Sequence, residues 1–173
     1  HISKGNMSVF NMLNTKYFIS TKGQAQMNPS TLGNSWFVDS IAIVSDANEE
    51  IDALNDFDPS TTAIVDIRFL NQIINNLDNS EKSKILLTEY KPNYLKYTTS
   101  AKNDGIAVFS EIYYDKGWNA FIDGEFSSHF RANYVLRAMK IPAGEHIVEF
   151  KFEPQTFKNG EVISMTSSII LLL

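Results

Sequence analysis

The amino-acid sequence predicts a mostly β domain, an antiparallel β-sandwich or jelly-roll-like fold, with a smaller mixed α/β part at its N-terminus. Short apolar runs recur at intervals of about ten residues between positions 85 and 152, which is typical of a sandwich. Turn residues separate these runs. The last run, residues 146–152, alternates between apolar and polar side chains, as a half-buried strand does.

We expect three segments along the 173 residues. Residues 1–80 form the mixed α/β part, residues 81–160 form the sandwich, and residues 161–173 form the start of a truncated transmembrane helix. The boundary between the first two falls in a polar stretch, residues 75–84, which is predicted to be a loop.

The N-terminal part alternates helices and strands. Apolar spacing predicts a short helix over residues 7–13. Asp46 is expected to cap a second helix that ends at Leu54, because Glu49 follows three residues later, the spacing of a capping box. Residues 70–77 are predicted to form a helical turn or two, and the polar residues 22–34 a loop. Short strands are predicted at residues 17–19, 36–38, 41–44 and 63–65.

The C-terminal part contains a series of strands. Asp123-Gly124 predicts a tight hairpin, because a type I′ turn needs positive φ at both central residues. In the last strand, Val148, Phe150 and Phe152 share one face. Strands are predicted at residues 85–87, 94–99, 105–114, 118–122, 134–141 and 146–152.

The end of the chain is uncharged from Val162 to Leu173 and closes on aliphatic residues. One interpretation is a last buried strand or helix. The other, which we favour, is the first half of a membrane span, since a full span needs about 20 apolar residues. Serine and threonine in this segment do not oppose a helix, because their hydroxyls can bond back to its carbonyls.

Composition excludes several classes of function. The absence of cysteine excludes disulfides, Cys-ligated zinc and a cysteine nucleophile. A net charge of −5 without a basic run argues against nucleic acid as a partner. The three histidines, His1, His129 and His146, do not have the spacing of a metal site. We therefore predict no metal ligand, no cofactor and no catalytic residue in this chain.

An aromatic and polar patch over residues 111–124 is the strongest candidate for ligand binding. Tyr114, Asp115 and Trp118 combine flat rings with an acid, the residue types that a sugar-binding surface needs. Arg131 and Asn133 follow after the next loop and complete the candidate set. The alternative for Arg131, which we favour, is that it ties the loop to a carboxylate or a backbone carbonyl. The alternative is that the two rings pack in the sandwich core, where aromatic residues supply much of the burial energy. Their exposure distinguishes the two interpretations.

Five motifs in the second half of the chain closely resemble the C-terminal region of YfhO-type bacterial membrane proteins in their Bacteroidetes form. These motifs are residues 111–118 (EIYYDKGW), 122–124 (IDG), 130–138 (FRANYVLRA), 141–146 (IPAGEH) and 148–154 (VEFKFEP). Residues 11–19, 33–38 and 57–59 fit the same family, so the resemblance covers nearly the whole chain.

The resemblance implies a large polytopic protein with a glycosyltransferase-like membrane bundle, in some relatives implicated in glycosylating cell-envelope polymers. This domain would lie on the extracytoplasmic side of the cell membrane, held there by the spans of the parent protein. It would be a non-catalytic accessory domain that positions a glycan or polymer acceptor or stabilises the bundle. Two alternatives remain open at this stage, a structural or protein-interaction module of the envelope without a glycan role, and a self-contained hydrolase.

Overall fold

The computed structural model describes residues 5–73 and 83–171. Residues 75–82 of the loop predicted over residues 75–84, and residues 74–77 of the helical turns predicted over residues 70–77, lie outside the described residues. Residues 70–72 are helical, as predicted, whereas Lys84 already lies in a strand. Helices of these two ranges are α1 (Met7–Met12), α2 (Ala47–Ala53), a 3-10 helix (Ile67–Gln72) and α3 (Gln155–Leu171). Strands of these two ranges are β1 (Tyr17–Ile19), β2 (Ala25–Met27), β3 (Ser35–Val38), β4 (Ser40–Val44), β5 (Thr62–Asp66), β6 (Lys84–Lys91), β7 (Tyr94–Ala101), β8 (Gly105–Ile112), β9 (Trp118–Ile122), β10 (Glu125–Ser127), β11 (Phe130–Ala132), β12 (Leu136–Ile141) and β13 (Gly144–Phe152).

Two antiparallel sheets pack face to face, which confirms the mostly β, antiparallel fold class. The five-stranded sheet has the order β10-β9-β13-β7-β6, and the four-stranded sheet has the order β11-β12-β8-β3. Between them, the buried rings of Tyr97, Phe109 and Phe150 meet edge to face, with centroids 4.9 to 6.1 Å apart. Such ring pairs add about 0.5–1.5 kcal/mol each to the stabilisation from burial. The jelly-roll detail stays a prediction.

A second core lies on the other face of the four-stranded sheet. There α1, α2 and the parallel pair β4–β5 cover the sheet, and Met12, Leu54 and Ile64 are buried against it. The N-terminal part also supplies β3, which pairs antiparallel with β8. The structure therefore has three layers, with the four-stranded sheet in the middle. The division of the chain at residue 80 stays a prediction.

The middle position explains why β8 is apolar on both faces. Ile106 and Val108 point to the core with the helices, whereas Ala107 and Phe109 point to the core between the sheets. All four side chains are fully buried. A strand covered on both faces needs a continuous apolar run instead of the alternation of a half-exposed strand.

Local signals in the sequence are confirmed at the turn and at the second helix. Asp123 and Gly124 have φ values of 51° and 86°, the left-handed conformations that the predicted turn requires. The side chain of Asp46 accepts hydrogen bonds from the backbone N–H groups of Asn48 and Glu49 and so caps α2. Glu49 reaches back to the N–H of Ser45, one residue beyond its partner in a standard capping box.

The prediction of a loop over residues 22–34 is wrong for residues 25–27. They form β2, which pairs with β1 so that Tyr17 lies opposite Met27 and Ile19 opposite Ala25. The segment carries glutamine at positions 24 and 26 and so has no long apolar run. Gly23, with φ 78°, closes the hairpin that makes the pairing local.

Helix α3 follows β13, and those of its residues whose burial is described are exposed. Ile163, Met165 and Ile170 are each about two-thirds exposed. The Ser167 and Ser168 hydroxyls donate to carbonyls one turn earlier, at 2.8 and 2.9 Å, as expected for a helix of this composition. Within residues 5–73 and 83–171, no helix combines the length and the apolar character needed to cross a membrane. The span expected at residues 161–173 stays a prediction.

Candidate functional site

An aromatic cluster lies at one end of the sandwich, and we call it the aromatic end. Trp118 begins β9 and pairs in register with Phe152, the last residue of β13. Their ring centroids lie 5.3 Å apart, and the ring of Tyr114 lies 6.5 Å from that of Phe152. Tyr114 is 47% exposed, Asp115 is exposed, and Trp118 is half-buried. The cluster therefore presents one exposed ring backed by two partly covered ones.

The loop between β8 and β9 is folded tightly so that these rings can meet. The N–H of Trp118 donates to the carbonyl of Tyr114 at 3.4 Å, and the N–H of Glu153 donates to the carbonyl of Gly117 at 2.7 Å. Phe152 packs directly on the backbone of Gly117. A Cβ atom at that position would lie 2.3 Å from the Phe152 ring, so only glycine fits.

Beneath the rings lies a buried arginine. The guanidinium carbon of Arg137 is 4.2 Å from the ring centroid of Trp118 and 5.1 Å from that of Phe150. Its Nε donates to the carbonyl of Ile112 at 3.0 Å. Burial lowers the pKa of Arg137 to about 10, although the nearby Glu111 carboxylate opposes this shift. A desolvated cation over an aromatic face contributes about 2 kcal/mol or more, so Arg137 fixes the orientation of Trp118.

Other polar groups are buried around Arg137. Burial raises the pKa of the Glu111 carboxyl and of the Tyr97 hydroxyl. Burial also lowers the pKa of His129 to about 4, so this histidine is neutral at physiological pH. In the described part of the chain, Tyr97 Oη, His129 Nε2 and Arg137 Nη1 have no hydrogen-bond partner. The interior of this end is therefore polar and electrostatically coupled to its aromatic surface.

The chemistry of the aromatic end suits a ligand with both an apolar face and hydroxyl groups. The exposed face of Tyr114 can cover C–H groups, as aromatic rings with polar surroundings do. Next to it, Asn119 Nδ2 donates to Glu153 Oε2 at 3.1 Å, which holds an amide and a carboxylate in fixed positions. The carboxylate of Asp115 adds a further exposed acceptor in the same loop.

Arg131 and Asn133 lie away from the aromatic end. They are at the contact between the four-stranded sheet and the layer formed by α1, α2 and the β4–β5 pair. Arg131 Nη2 pairs with Glu50 Oε2 at 2.5 Å and lies 3.8 Å from Asp66 Oδ2. Asn133 is fully buried, accepts from the N–H of Ile64 at 2.8 Å and donates its own N–H to the Ile64 carbonyl at 2.8 Å. Both residues make structural contacts there.

The structure thus brings Tyr114, Asp115 and Trp118 together and places Arg131 and Asn133 in a separate contact. Their assignment to ligand binding stays a prediction. Sequence reasoning missed Arg137 and Phe152. The signal for both was present, because strand alternation in β12 and β13 directs these two side chains into the sandwich.

A hollow of about 480 Å³ lies on the outer face of the five-stranded sheet, separate from the aromatic end. It is lined by Leu86, Thr98, Ile147 and the His146–Asp123 pair. His146 Nδ1 lies 2.6 Å from Asp123 Oδ2, and its Nε2 lies 3.1 Å from the carbonyl of Ala143. Both partners are acceptors, so both ring nitrogens must donate, which favours the imidazolium. The bond to Asp123 raises the pKa of His146, and the same bond lowers the pKa of Asp123.

No group of acidic, histidine or cysteine residues in the described ranges could hold a metal ion. Comparison with protein families finds one match, over residues 61–164, to the family described as bacterial membrane protein YfhO. The matched region begins before β5 and ends within α3, so it includes the whole aromatic end. No curated protein and no solved structure is significantly similar to the chain.

Gly117→Ala should disrupt the aromatic end while the fold persists. The added methyl group would overlap the Phe152 ring, so the ring must move away from Trp118. We expect a shift of the tryptophan emission maximum and a loss of stability of about 1–3 kcal/mol, the usual cost of overpacking. The matched control is Gly160→Ala in α3, where a Cβ atom meets nothing within 4 Å. An unchanged emission spectrum in Gly117→Ala would contradict the packing described.

The His146–Asp123 pair should make stability depend on pH. Because the folded pKa of His146 is raised above its ordinary value of 6.5, its contribution is fully present below pH 6.5 and is lost as pH rises through the folded pKa. The melting temperature of the wild type should therefore exceed that of His146→Gln most at mildly acidic pH, where Asp123 is still ionised, and the difference should narrow at alkaline pH. His129 is present in both proteins, so its titration cancels. A difference in melting temperature that grows with pH would contradict the assignment of a protonated His146 paired with Asp123.

Proposed function

The chain belongs to the YfhO family of bacterial membrane proteins, and from this premise we propose that it is a non-catalytic accessory domain on the extracytoplasmic side of the membrane. In this proposal the domain positions a glycan or a cell-envelope polymer as the acceptor for a glycosyltransferase-like membrane bundle in the parent protein. The glycosyltransferase role rests on the resemblance of the motifs described above, and the contact with the acceptor rests on the aromatic end.

The observation that carries the proposal is the exposed ring of Tyr114 on a rigid base. Phe152 lies against it, Trp118 packs on Phe152, and Arg137 fixes Trp118 in turn. A ring that is already ordered loses little entropy when a flat sugar face covers it, which favours binding. The Asn119–Glu153 pair beside it offers donors and acceptors for hydroxyl groups.

The position of the aromatic end supports a role close to the membrane. Phe152 is followed within three residues by α3, whose exposed side chains include Ile163, Met165, Ile169 and Ile170. Residues 162–173 carry no charge. We propose that α3 leads into the membrane of the parent protein, which would place the aromatic end near the lipid surface. An acceptor held there would be within reach of chemistry in a membrane bundle.

A second candidate function is a protein-interaction module without a glycan role. The hollow on the outer face of the five-stranded sheet favours it, because Leu86 and Ile147 are 64% and 40% exposed on either side of Thr98. Exposed apolar residues that adjoin on one sheet face are typical of a docking surface. This surface lies away from the aromatic end, so substitutions can separate the two functions.

Binding of short neutral and N-acetylated oligosaccharides, measured by saturation-transfer NMR and titration calorimetry, tests the proposal. Tyr114→Ala should weaken binding roughly tenfold, equivalent to about 1.4 kcal/mol, because the stacking face is lost. The control is Phe126→Ala, which removes another exposed ring, 68% exposed, on β10. Equal affinity of Tyr114→Ala and wild type for every sugar that binds, or no binding by the wild type, would favour the protein-interaction role.

A further inference from the structure

The β1–β2 hairpin has an apolar face that is directed away from the rest of the domain. In the pairing register, Tyr17, Ile19, Ala25 and Met27 share this face, and all four are exposed. Ile19 is 76% exposed and Met27 64%. The opposite face carries Phe18, which packs edge to face on Phe10 of α1, with centroids 5.1 Å apart. The domain therefore covers Phe18 on one face of the hairpin and leaves the apolar face of Tyr17, Ile19 and Met27 uncovered.

A two-stranded hairpin of this kind is marginally stable in water on its own. Among the strands of the described residues, its three-residue strands pair only with each other. Burial of the outward apolar face would contribute a stabilising free energy of about 25 cal/mol for each Å² of apolar surface removed from water. A partner that binds Tyr17, Ile19 and Met27 would thus also stabilise the folded hairpin.

The charge of this region points to an anionic partner. The whole chain has a net charge of −5, yet its first 38 residues contain three lysines and no Asp, Glu or Arg, so the remaining residues carry −8. Two of these lysines, Lys16 and Lys22, flank β1 and are exposed. Apolar and cationic side chains therefore share one short element in an otherwise acidic protein.

The base of the hairpin lies at the same end of the sandwich as the origin of α3. The Ser110 hydroxyl near the end of β8 donates to the carbonyl of Met12, and the Ser110 N–H donates to the carbonyl of Asn34 at 2.9 Å, so residues on both sides of the hairpin are tied to this end. Two residues further along β8, the Ile112 carbonyl accepts from Arg137 beneath Trp118. Residues 155–171 leave the domain from this end as α3.

We infer that the outer face of the β1–β2 hairpin binds the surface of an anionic lipid membrane, with Tyr17, Ile19 and Met27 in the interface and Lys16 and Lys22 against lipid headgroups. Cationic residues around an apolar face are typical of interfacial membrane binding. A second copy of the chain fits less well, because pairing two such faces would bring the lysines of both copies together. The inference rests on membership of a membrane protein family and on this geometry, and it is independent of any glycan role.

The lack of native cysteine allows a direct test by single-site labelling. An environment-sensitive fluorophore is attached to Ile19→Cys, and as a control to Ser100→Cys, an exposed position at the far end of β7. The labelled chains are mixed with vesicles of equal parts phosphatidylcholine and phosphatidylglycerol, or of phosphatidylcholine alone. We expect a blue shift and quenching by brominated lipid at position 19, only with anionic vesicles, and neither effect at position 100.

Charge variants sharpen the test. Lys22→Gln should weaken binding to the anionic vesicles roughly fivefold, since a lysine near such a surface is worth about 1 kcal/mol. Lys140→Gln, a matched charge change on β12 that is 49% exposed, should leave binding unchanged. A probe at position 19 that stays in water while vesicles bind the chain through α3 would overturn the inference. So would a blue shift that needs no vesicles and rises with protein concentration, which would identify a second copy as the partner.

Discussion

Both faces of strand β8 are buried by neighbouring layers of the domain. The arrangement of those layers depends on this strand. Ile106 and Val108 hold the helices and the β4–β5 pair, while Ala107 and Phe109 hold the five-stranded sheet. Full burial of each large apolar side chain contributes about 1.5–3 kcal/mol, so neither face of the strand can be uncovered without a large loss of stability. The strand therefore couples the two cores through its own backbone.

This coupling fixes the positions of the hairpin, the aromatic end and α3 relative to one another. The C-terminal half of β8 anchors the base of the hairpin through Ser110 and supports Arg137, and so the aromatic end, through the Ile112 carbonyl. Helix α3 leaves the domain next to Phe152. The hairpin, the aromatic end and the start of α3 thus lie at one end of the sandwich and share strand β8 as their structural support. This end combines apolar, aromatic and cationic side chains, and it is the end that we propose faces the lipid surface.

Local rules predicted much of this fold, and long-range packing accounts for what they missed. Alternation and turn chemistry were sufficient for β13 and for the Asp123–Gly124 turn, because these depend on neighbouring residues. The short β2 strand was missed because its polar residues become a strand only by pairing with β1. The candidate set joined Tyr114 to Arg131, although tertiary contacts place the arginine against Glu50. Proximity in sequence could not show which of these side chains would meet.

Native-state hydrogen exchange tests most directly the claim that the three layers form one unit. The N–H of Ile64 in β5 donates to Asn133 across the layer contact, Val108 lies in the middle sheet, and Phe150 lies in the five-stranded sheet. Amides of one cooperative unit exchange with the same opening free energy. We predict that these three amides share the free energy of global unfolding. Exchange of Ile64 at a clearly lower free energy, with Val108 and Phe150 still protected, would contradict the account.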